Sequence, residues 1–319
     1  MPRYSVVLPC YNEEDNIENT VSEIVSAMTE LDDDFEVIVV DDGSSDGTIE
    51  RAKKLSDEDS RVRVVSYTPN RGRGYAMRMG FAAALGKFVA TTDADLSYSA
   101  DHLPKLFRRL EDDPSLDIVV GSPYAVGGRA EHVPFFRLLI SKLGNRVVGR
   151  AMGGRVRTVT GMLRAYKRDC LQSLDLESEG KEIHLEILSR AQACGYRITE
   201  MPAVLRGRRR GASKFRFKKT ASSHLLFSFF ERPVLLFGGI GIGLVLLGLI
   251  GSGYVIYLWL SASLNPERPL MTLIVLLVLT GIQIALFGFL GTMLVHLRRE
   301  VYKLQHSHLK LRKQLGRDE

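Results

Sequence analysis

Short apolar runs alternate with amphipathic stretches through the first 120 residues of the chain. The apolar runs are Tyr4 to Leu8, Phe35 to Val40, Val62 to Tyr67, Phe88 to Thr92 and Ile118 to Val120. Each is short and rich in β-branched or aromatic side chains, as buried strands are. Between them, Ile17 to Leu31, Thr48 to Leu55, Tyr75 to Leu85 and Leu103 to Leu110 carry apolar residues at helical spacing. This alternation predicts an α/β domain with a mostly parallel sheet and helices on both faces.

The pattern changes after Pro233. Val234 to Leu260 is 27 residues without a charge, and Leu270 to Val295 is 26. Each exceeds the ~20 residues that cross a bilayer as a helix, so two transmembrane helices are predicted. Their interiors hold no ionisable residue, and Gln283 alone is too little for a transport path, which makes the pair an anchor. Gly239 with Gly243, and Gly248 with Ser252, have the spacing that permits close helix contact, within the hairpin or between protomers. Phe215 to Glu231 mixes Phe217, Leu225, Leu226, Phe227, Phe229 and Phe230 with Lys218, Lys219 and His224, as an interfacial amphipathic helix does. In the tail, Val301, Leu304, His308, Leu311 and Leu315 recur at helical spacing, suiting a helix that packs on the N-terminal domain or in a homo-oligomer. The expected plan is a domain over 1–214, a juxtamembrane helix over 215–232, a two-helix hairpin over 233–297 and a basic tail over 298–319.

Charge orients this plan. A quarter of the 319 residues are charged, yet the mean hydropathy is near zero, so apolar residues are segregated. The net charge of +6 gathers beside the spans, at Arg206 to Lys219 and again from His296 to Lys313, while the connecting loop has only Glu267 and Arg268. The positive-inside bias then places the N-terminal domain and both termini in the cytoplasm and makes the chain a multi-pass protein of the cell membrane. Juxtamembrane cations suit membrane lipid or a phosphate ligand and point away from nucleic acid. Residues 1–30 carry no signal-peptide pattern. The three cysteines, Cys10, Cys170 and Cys194, lack metal-type spacing and suit a reducing compartment.

Candidate chemistry falls at the strand ends, which share one edge of such a sheet and bind ligands there. Asp93 and Asp95 follow the fourth run two residues apart. Neighbouring carboxylates are costly unless a cation or ordered solvent lies between them, and a hard divalent ion is the simplest partner. In the loop after the second run, Gly43 and Gly47 permit tight turns, and Asp41 and Asp42 offer acceptors to ribose hydroxyls or a base. In the loop after the third, Gly72 and Gly74 flank Arg73 at a helix start, where exposed amides and a cation suit a diphosphate. Glu13 and Glu14 also suit the first turn of a helix as acids that complement its dipole. Glu182 and Glu186 share one face of a helix over Glu182 to Ala193 and read as solvated, with His184 structural.

P-C-Y-N-E at 9–13, V-D-D-G-S-S-D-G-T at 40–48, N-R-G-R-G-Y-A-M-R-M-G at 70–80 and D-A-D-L-S at 93–97 resemble, in order and approximate spacing, the signatures of glycosyltransferase family 2. The resemblance covers roughly residues 4–235 and implies a GT-A nucleotide-sugar-binding fold. Gly121-Ser122-Pro123-Tyr124, Thr160 to Lys167 and Gly207 to Lys214 ahead of paired spans are similar to the polyprenyl-phosphate glycosyltransferases, the dolichol-phosphate mannose synthase and undecaprenyl-phosphate glucosyltransferase group. That group implies transfer of one hexose from a nucleotide sugar of GDP-mannose or UDP-glucose type to a polyprenyl phosphate, with Mg2+ or Mn2+ and inversion. It places Pro9, Tyr11, Asn12, Glu13, Asp41, Asp42, Arg73 and Asp93 on the nucleotide sugar, with Asp95 holding metal and Ser97 a metal-bound water. Arg206, Arg208 and Lys214 join the aspartates as catalytic groups, and Arg129, Arg137, Ser213 and Lys214 face the lipid phosphate. Three positions depart from the group: Pro123 stands for an Arg, Ser97 for a Gln and Thr158 for an Asp. Arg129, Arg137 and Arg157 are the candidates to replace the lost guanidinium. A phosphate monoester, with a second pKa near ~6, is already an anionic nucleophile, consistent with the absence of an E-D or Q-x-x-R-W pair. Two alternatives are a family 2 enzyme acting on another lipid or a polysaccharide, and a non-catalytic nucleotide-sugar-binding scaffold.

Overall fold

The computed structural model describes residues 1–131, 141, 145, 156–206, 233–261 and 269–315. Expectations for Arg137, Arg208, Ser213, Lys214, the juxtamembrane segment 215–232 and the loop at Glu267 and Arg268 lie outside the described residues. The chain divides into two compact units, Met1–His224 with Tyr302–Glu319, and Leu225–Val301.

The first unit opens with the predicted alternation: β1 (Tyr4–Cys10), α1 (Ile17–Thr29), β2 (Phe35–Asp42), α2 (Thr48–Glu58), β3 (Val62–Tyr67), α3 (Arg73–Ala83), β4 (Phe88–Thr91), α4 (His102–Asp112) and β5 (Ile118–Ser122). There follow β6 (Arg129–Glu131), β7 (Arg164–Lys167), α5 (Arg168–Ser173), α6 (Ile183–Ala193), β8 (Ile198–Pro202) and β9 (Val204–Arg206). Seven strands form one sheet in the order β3-β2-β1-β4-β7-β5-β8, and β6 pairs with β9 in a second. Only β7 among these runs antiparallel to its neighbours. The sheet is covered on both faces. Val6, Leu8, Val37 and Val39 join α1 and α4 in one core, while Gly80 of α3 lies against Val7 and Val40 on the other face. Gly80 is suited to this contact because a Cβ there would meet both valines.

Two strands run further than their apolar patterns. β1 continues to Cys10 and β2 to Asp42, because Cys10 pairs with Asp41 and Asp42 with Tyr67. The first acidic pair is therefore buried at a strand end rather than carried on a free loop. The chain leaves β1 toward β2 on one side and returns to β4 on the other, so a topological switch point falls between β1 and β4.

The second unit contains a π-helical turn (Val234–Gly238), α7 (Gly239–Leu260) and α8 (Pro269–Leu315, which continues beyond this unit). Leu236–Leu260 and Pro269–Arg298 are long and apolar enough to cross a membrane. α7 and α8 meet through glycine. A Cβ on Gly241 would lie 2.5 Å from the Gly281 carbonyl oxygen, and one on Gly281 would lie 2.7 Å from that of Gly241. Gly248 adds to this seam against Val278, but Gly239 and Gly243 face open space, so the hairpin does not close through that expected pair. The helical period puts Gly241 and Gly248, seven residues apart, on the inner face.

Candidate active site

The switch point brings the loop after β1 beside the loop after β4. A hydroxyl of α1, Thr20 Oγ1, donates to the Ala94 carbonyl at 2.8 Å and holds the D-A-D turn from beneath. Leu96 takes a positive φ of 50°, which turns the chain so that Ser97 folds back on Asp95. The Ser97 amide and hydroxyl both donate to Asp95 Oδ1, at 3.0 and 2.5 Å. Ser97 thus orients the carboxylate directly.

Asp93 has the opposite situation. Its side chain is 20% exposed, and Arg73 Nη1 stands 3.5 Å from its Oδ1. Burial pushes its pKa up to about 6, with Asp95 and Glu13 raising it further and Arg73 and Lys181 opposing. Two carboxylates and a hydroxyl form a hard-oxygen donor set, and the strain on Asp93 is what a cation relieves. Among the described residues, no three His, Cys, Asp or Glu converge as a complete metal cage. Oxygen donors of this kind suit a hard divalent ion such as Mg2+ or Mn2+, which would need further ligands from outside the set.

The loops after β1 and β2 are laced together. The Asn12 amide donates to Ser44 Oγ at 2.9 Å and the Ser45 amide to Asn12 Oδ1 at 2.8 Å. The Glu13 amide donates to Thr48 Oγ1 at 2.9 Å, and Asn16 Nδ2 donates to Glu13 Oε2 at 2.8 Å. Glu14 accepts the Gly47 amide at 3.1 Å and pairs with Arg51 at 2.9 Å. Tyr11 is exposed and Pro9 partly buried. Asp41 is buried and accepts the Ser44 amide at 3.3 Å.

Asp42 has a different occupation. Its carboxylate accepts Tyr67 Oη at 2.9 Å, Asn70 Nδ2 at 2.8 Å and the amides of Arg71 and Gly72 at 2.8 and 2.9 Å. It holds the third loop in shape. The amides expected to be free there are also taken. Gly74 donates to the Glu179 carbonyl at 2.7 Å and Tyr75 to the same oxygen at 3.3 Å. Arg71 ion-pairs with the Glu179 side chain and stacks on Tyr75, 3.7 Å from the ring centroid. Gly72, at φ +99°, passes where a Cβ would lie 2.6 Å from Glu179 oxygen. A segment some hundred residues downstream caps α3, so Arg73 is left as the diphosphate candidate of this loop.

The expected solvated face of α6 is a buried one. Glu186 accepts the Glu177 and Ser178 amides at 3.0 and 2.9 Å and pairs with Arg190 at 2.7 Å. The sequence carried the Glu186–Arg190 spacing of i, i+4; what hid it is that both partners go into the core. Glu182 accepts the Gly180 amide at 3.0 Å, and His184 is buried. The Thr160 to Lys167 segment holds fully buried Arg164, whose guanidinium donates to the carbonyls of Gly161, His184 and Val159 at 2.9, 2.9 and 2.7 Å.

Arg206 ends β9. Its amide donates to the Ser97 carbonyl at 2.7 Å, and its exposed guanidinium pairs with Glu131 at 3.8 Å. Arg129 is exposed on β6, in register with Val204. Ser122 and Thr158 share a 2.6 Å hydroxyl contact beside Pro123, and Arg157 Nη1 reaches the Tyr124 carbonyl at 3.3 Å. Arg157 is therefore the guanidinium that the described structure brings to the Pro123 turn.

Residues 5–174 match the Glycosyl transferase family 2 model. The chain belongs to this family. Over 219 residues it is 34% identical to the dolichol-phosphate mannosyltransferase of Pyrococcus furiosus, a match covering 68% of this chain and 60% of that protein. Over 219 residues it is 32% identical to the polyprenol monophosphomannose synthase of Mycolicibacterium smegmatis, covering 66% and 80%. Glucosyl-3-phosphoglycerate synthase from Mycobacterium tuberculosis, solved with Mn2+, uridine diphosphate and phosphoglyceric acid, superposes with a TM-score of 0.55 at 23% identity, covering 72% of this chain and 77% of that one. The same enzyme with Mg2+ and uridine diphosphate gives 0.55 at 23%, covering 71% and 79%. These structures show the shared fold, a family 2 GT-A domain, which here accompanies two helices long enough to span a membrane.

Proposed function

We propose that this family 2 enzyme transfers one hexose from a nucleotide sugar to a polyprenyl phosphate at the cytosolic membrane face. The observation that carries the reading is the Asp93-Ala94-Asp95 turn at the switch point, with Arg73 3.5 Å from Asp93. Similarity to two proteins named for mannose transfer to dolichol or polyprenol phosphate favours a mannosyl donor, and so GDP-mannose. Two membrane-length helices supply a reason for a lipid acceptor.

Asp41, Tyr11 and the loop at Asn12 and Glu13 bind the nucleoside end of the donor, while Asp42 acts indirectly by shaping the third loop. Asp93 and Arg73 orient the sugar and its diphosphate, and Asp95, set by Ser97, would hold the metal beside them. A divalent ion held by Asp95 supplies positive charge against the departing diphosphate. The acceptor needs no strong base. An oxygen of the lipid phosphate bonds to the anomeric carbon as the bond to the nucleotide diphosphate breaks in line, which inverts that carbon. Arg206, Arg208, Ser213 and Lys214 hold the acceptor phosphate, with Arg129, Arg137 and Arg157 at its approach; positioning and charge compensation do most of the work.

The test is purified full-length protein with Mg2+ or Mn2+, dolichyl or undecaprenyl phosphate, and labelled nucleotide sugars. Lipid-linked hexose is expected, and no product with any donor overturns the reading. Lys214→Ala is expected to lose turnover by about a hundredfold while binding of the nucleotide sugar is kept; full activity would remove Lys214 from the mechanism.

A further inference from the structure

His102 opens α4 and joins two parts of the site. It is buried, with 8% exposure. Its Nδ1 lies 3.0 Å from the Ser99 carbonyl, which can only accept, so Nδ1 carries the hydrogen. Its Nε2 accepts the Val204 amide at 3.1 Å. Both nitrogens are thereby assigned, and the ring is the neutral Nδ1–H tautomer. Val204 begins β9, the strand that pairs with β6, bridges Tyr98 through Leu205 and ends at Arg206, whose amide reaches Ser97. One imidazole thus pins the strand leading to the basic run against the chain leaving the Asp93-Ala94-Asp95 turn.

We propose that His102 is a positioning residue that fixes β9, and with it Arg206, at the register needed to receive the acceptor phosphate. This rests on the lipid-phosphate reading of Arg206 to Lys214. Protonation of the ring removes the only lone pair available to Val204 and sets two N–H groups against each other. The charged neighbours are Asp101 and Lys105 on its own helix and Arg206 on β9, with the Tyr98 ring edge-on. Burial lowers the His102 pKa, with Lys105 and Arg206 acting in the same direction. Its lowered pKa means that the pinned state is complete above the ordinary imidazole value of 6.5 and is lost as pH falls through the lowered one.

The experiment compares full-length wild type, His102→Gln and His102→Phe. Removing one buried hydrogen bond is expected to raise the KM for polyprenyl phosphate about tenfold in His102→Phe, with nucleotide-sugar affinity unchanged. His102→Gln, which keeps an acceptor without a titrating ring, is expected to restore KM and to show a smaller acid rise in KM than wild type, the remainder coming from the acceptor phosphate, whose second pKa near ~6 titrates with either enzyme. Backbone hydrogen exchange at 203–206 gives a readout independent of activity, with protection lost in His102→Phe and kept in His102→Gln. Wild-type KM in His102→Phe, the same acid limb in wild type and His102→Gln, or unchanged exchange overturns the proposal. Absence of lipid transfer by wild type defeats the functional reading instead, and the exchange result still decides whether His102 pins β9.

Discussion

The molecule carries two acidic pairs, at the ends of β2 and β4 on either side of β1, and they are put to different uses. Asp42 in the first pair is surrounded by donors from its own chain, Tyr67, Asn70, Arg71 and Gly72. Asp93 in the second faces Arg73 across 3.5 Å, with Asp95 and Glu13 adding repulsion. A satisfied carboxylate holds a backbone in shape. A frustrated one stores a demand for charge that a ligand or ion can meet, which is how residues of one type come to be scaffold in one loop and site in the next.

Exchange at the second pair should have the largest effect. Asp95→Asn is expected to lower turnover by at least about a hundredfold with the melting temperature nearly unchanged; retained metal-dependent transfer would erase the distinction. Asp42→Ala should do the reverse in kind. It leaves buried donors without their acceptor and is expected to cost about 3 kcal/mol of stability, read as a lower midpoint in denaturant, and a midpoint equal to wild type would show that Asp42 is not the scaffold. The smallest effect sharpens the comparison through pH. Burial raises Asp93 from 3.8 to about 6, so the stability of its protonated form is complete below the lower value and is lost as pH rises through the upper one. Added Mn2+ is therefore expected to raise the melting temperature more at about pH 7.5 than at about pH 5, and equal gains at both would mean that Asp93 carries no such load.

Much of this arrangement was legible in the chain. Period-two and helical runs located every element from Tyr4 to Val120 because each buries a continuous apolar set, and the uncharged stretches located α7 and α8. The D-A-D turn was legible because its acids follow an apolar strand. What escaped is what depends on distant partners. Nothing local in Gly72 or Gly74 announces that the Glu179 carbonyl caps α3. The Asp42 donors and the His102 bond to Val204 likewise arise from chain segments brought together only by the fold. Gly239 and Gly243 had the spacing for close contact but do not face α8, because spacing alone does not choose a helix face; of their two expected uses this removes the one within the hairpin.

The capped start of α3 has a consequence for how tightly a donor can be held. A helix terminus with free amides is a permanent anion receptor whose strength the protein sets once. Here Glu179 has used those amides, so the pull on the donor phosphates would come from Arg73 and from an ion supplied by the surroundings. Under the proposed function, donor affinity would then depend on two concentrations, and the free divalent level around the site would act as a throttle on sugar loading.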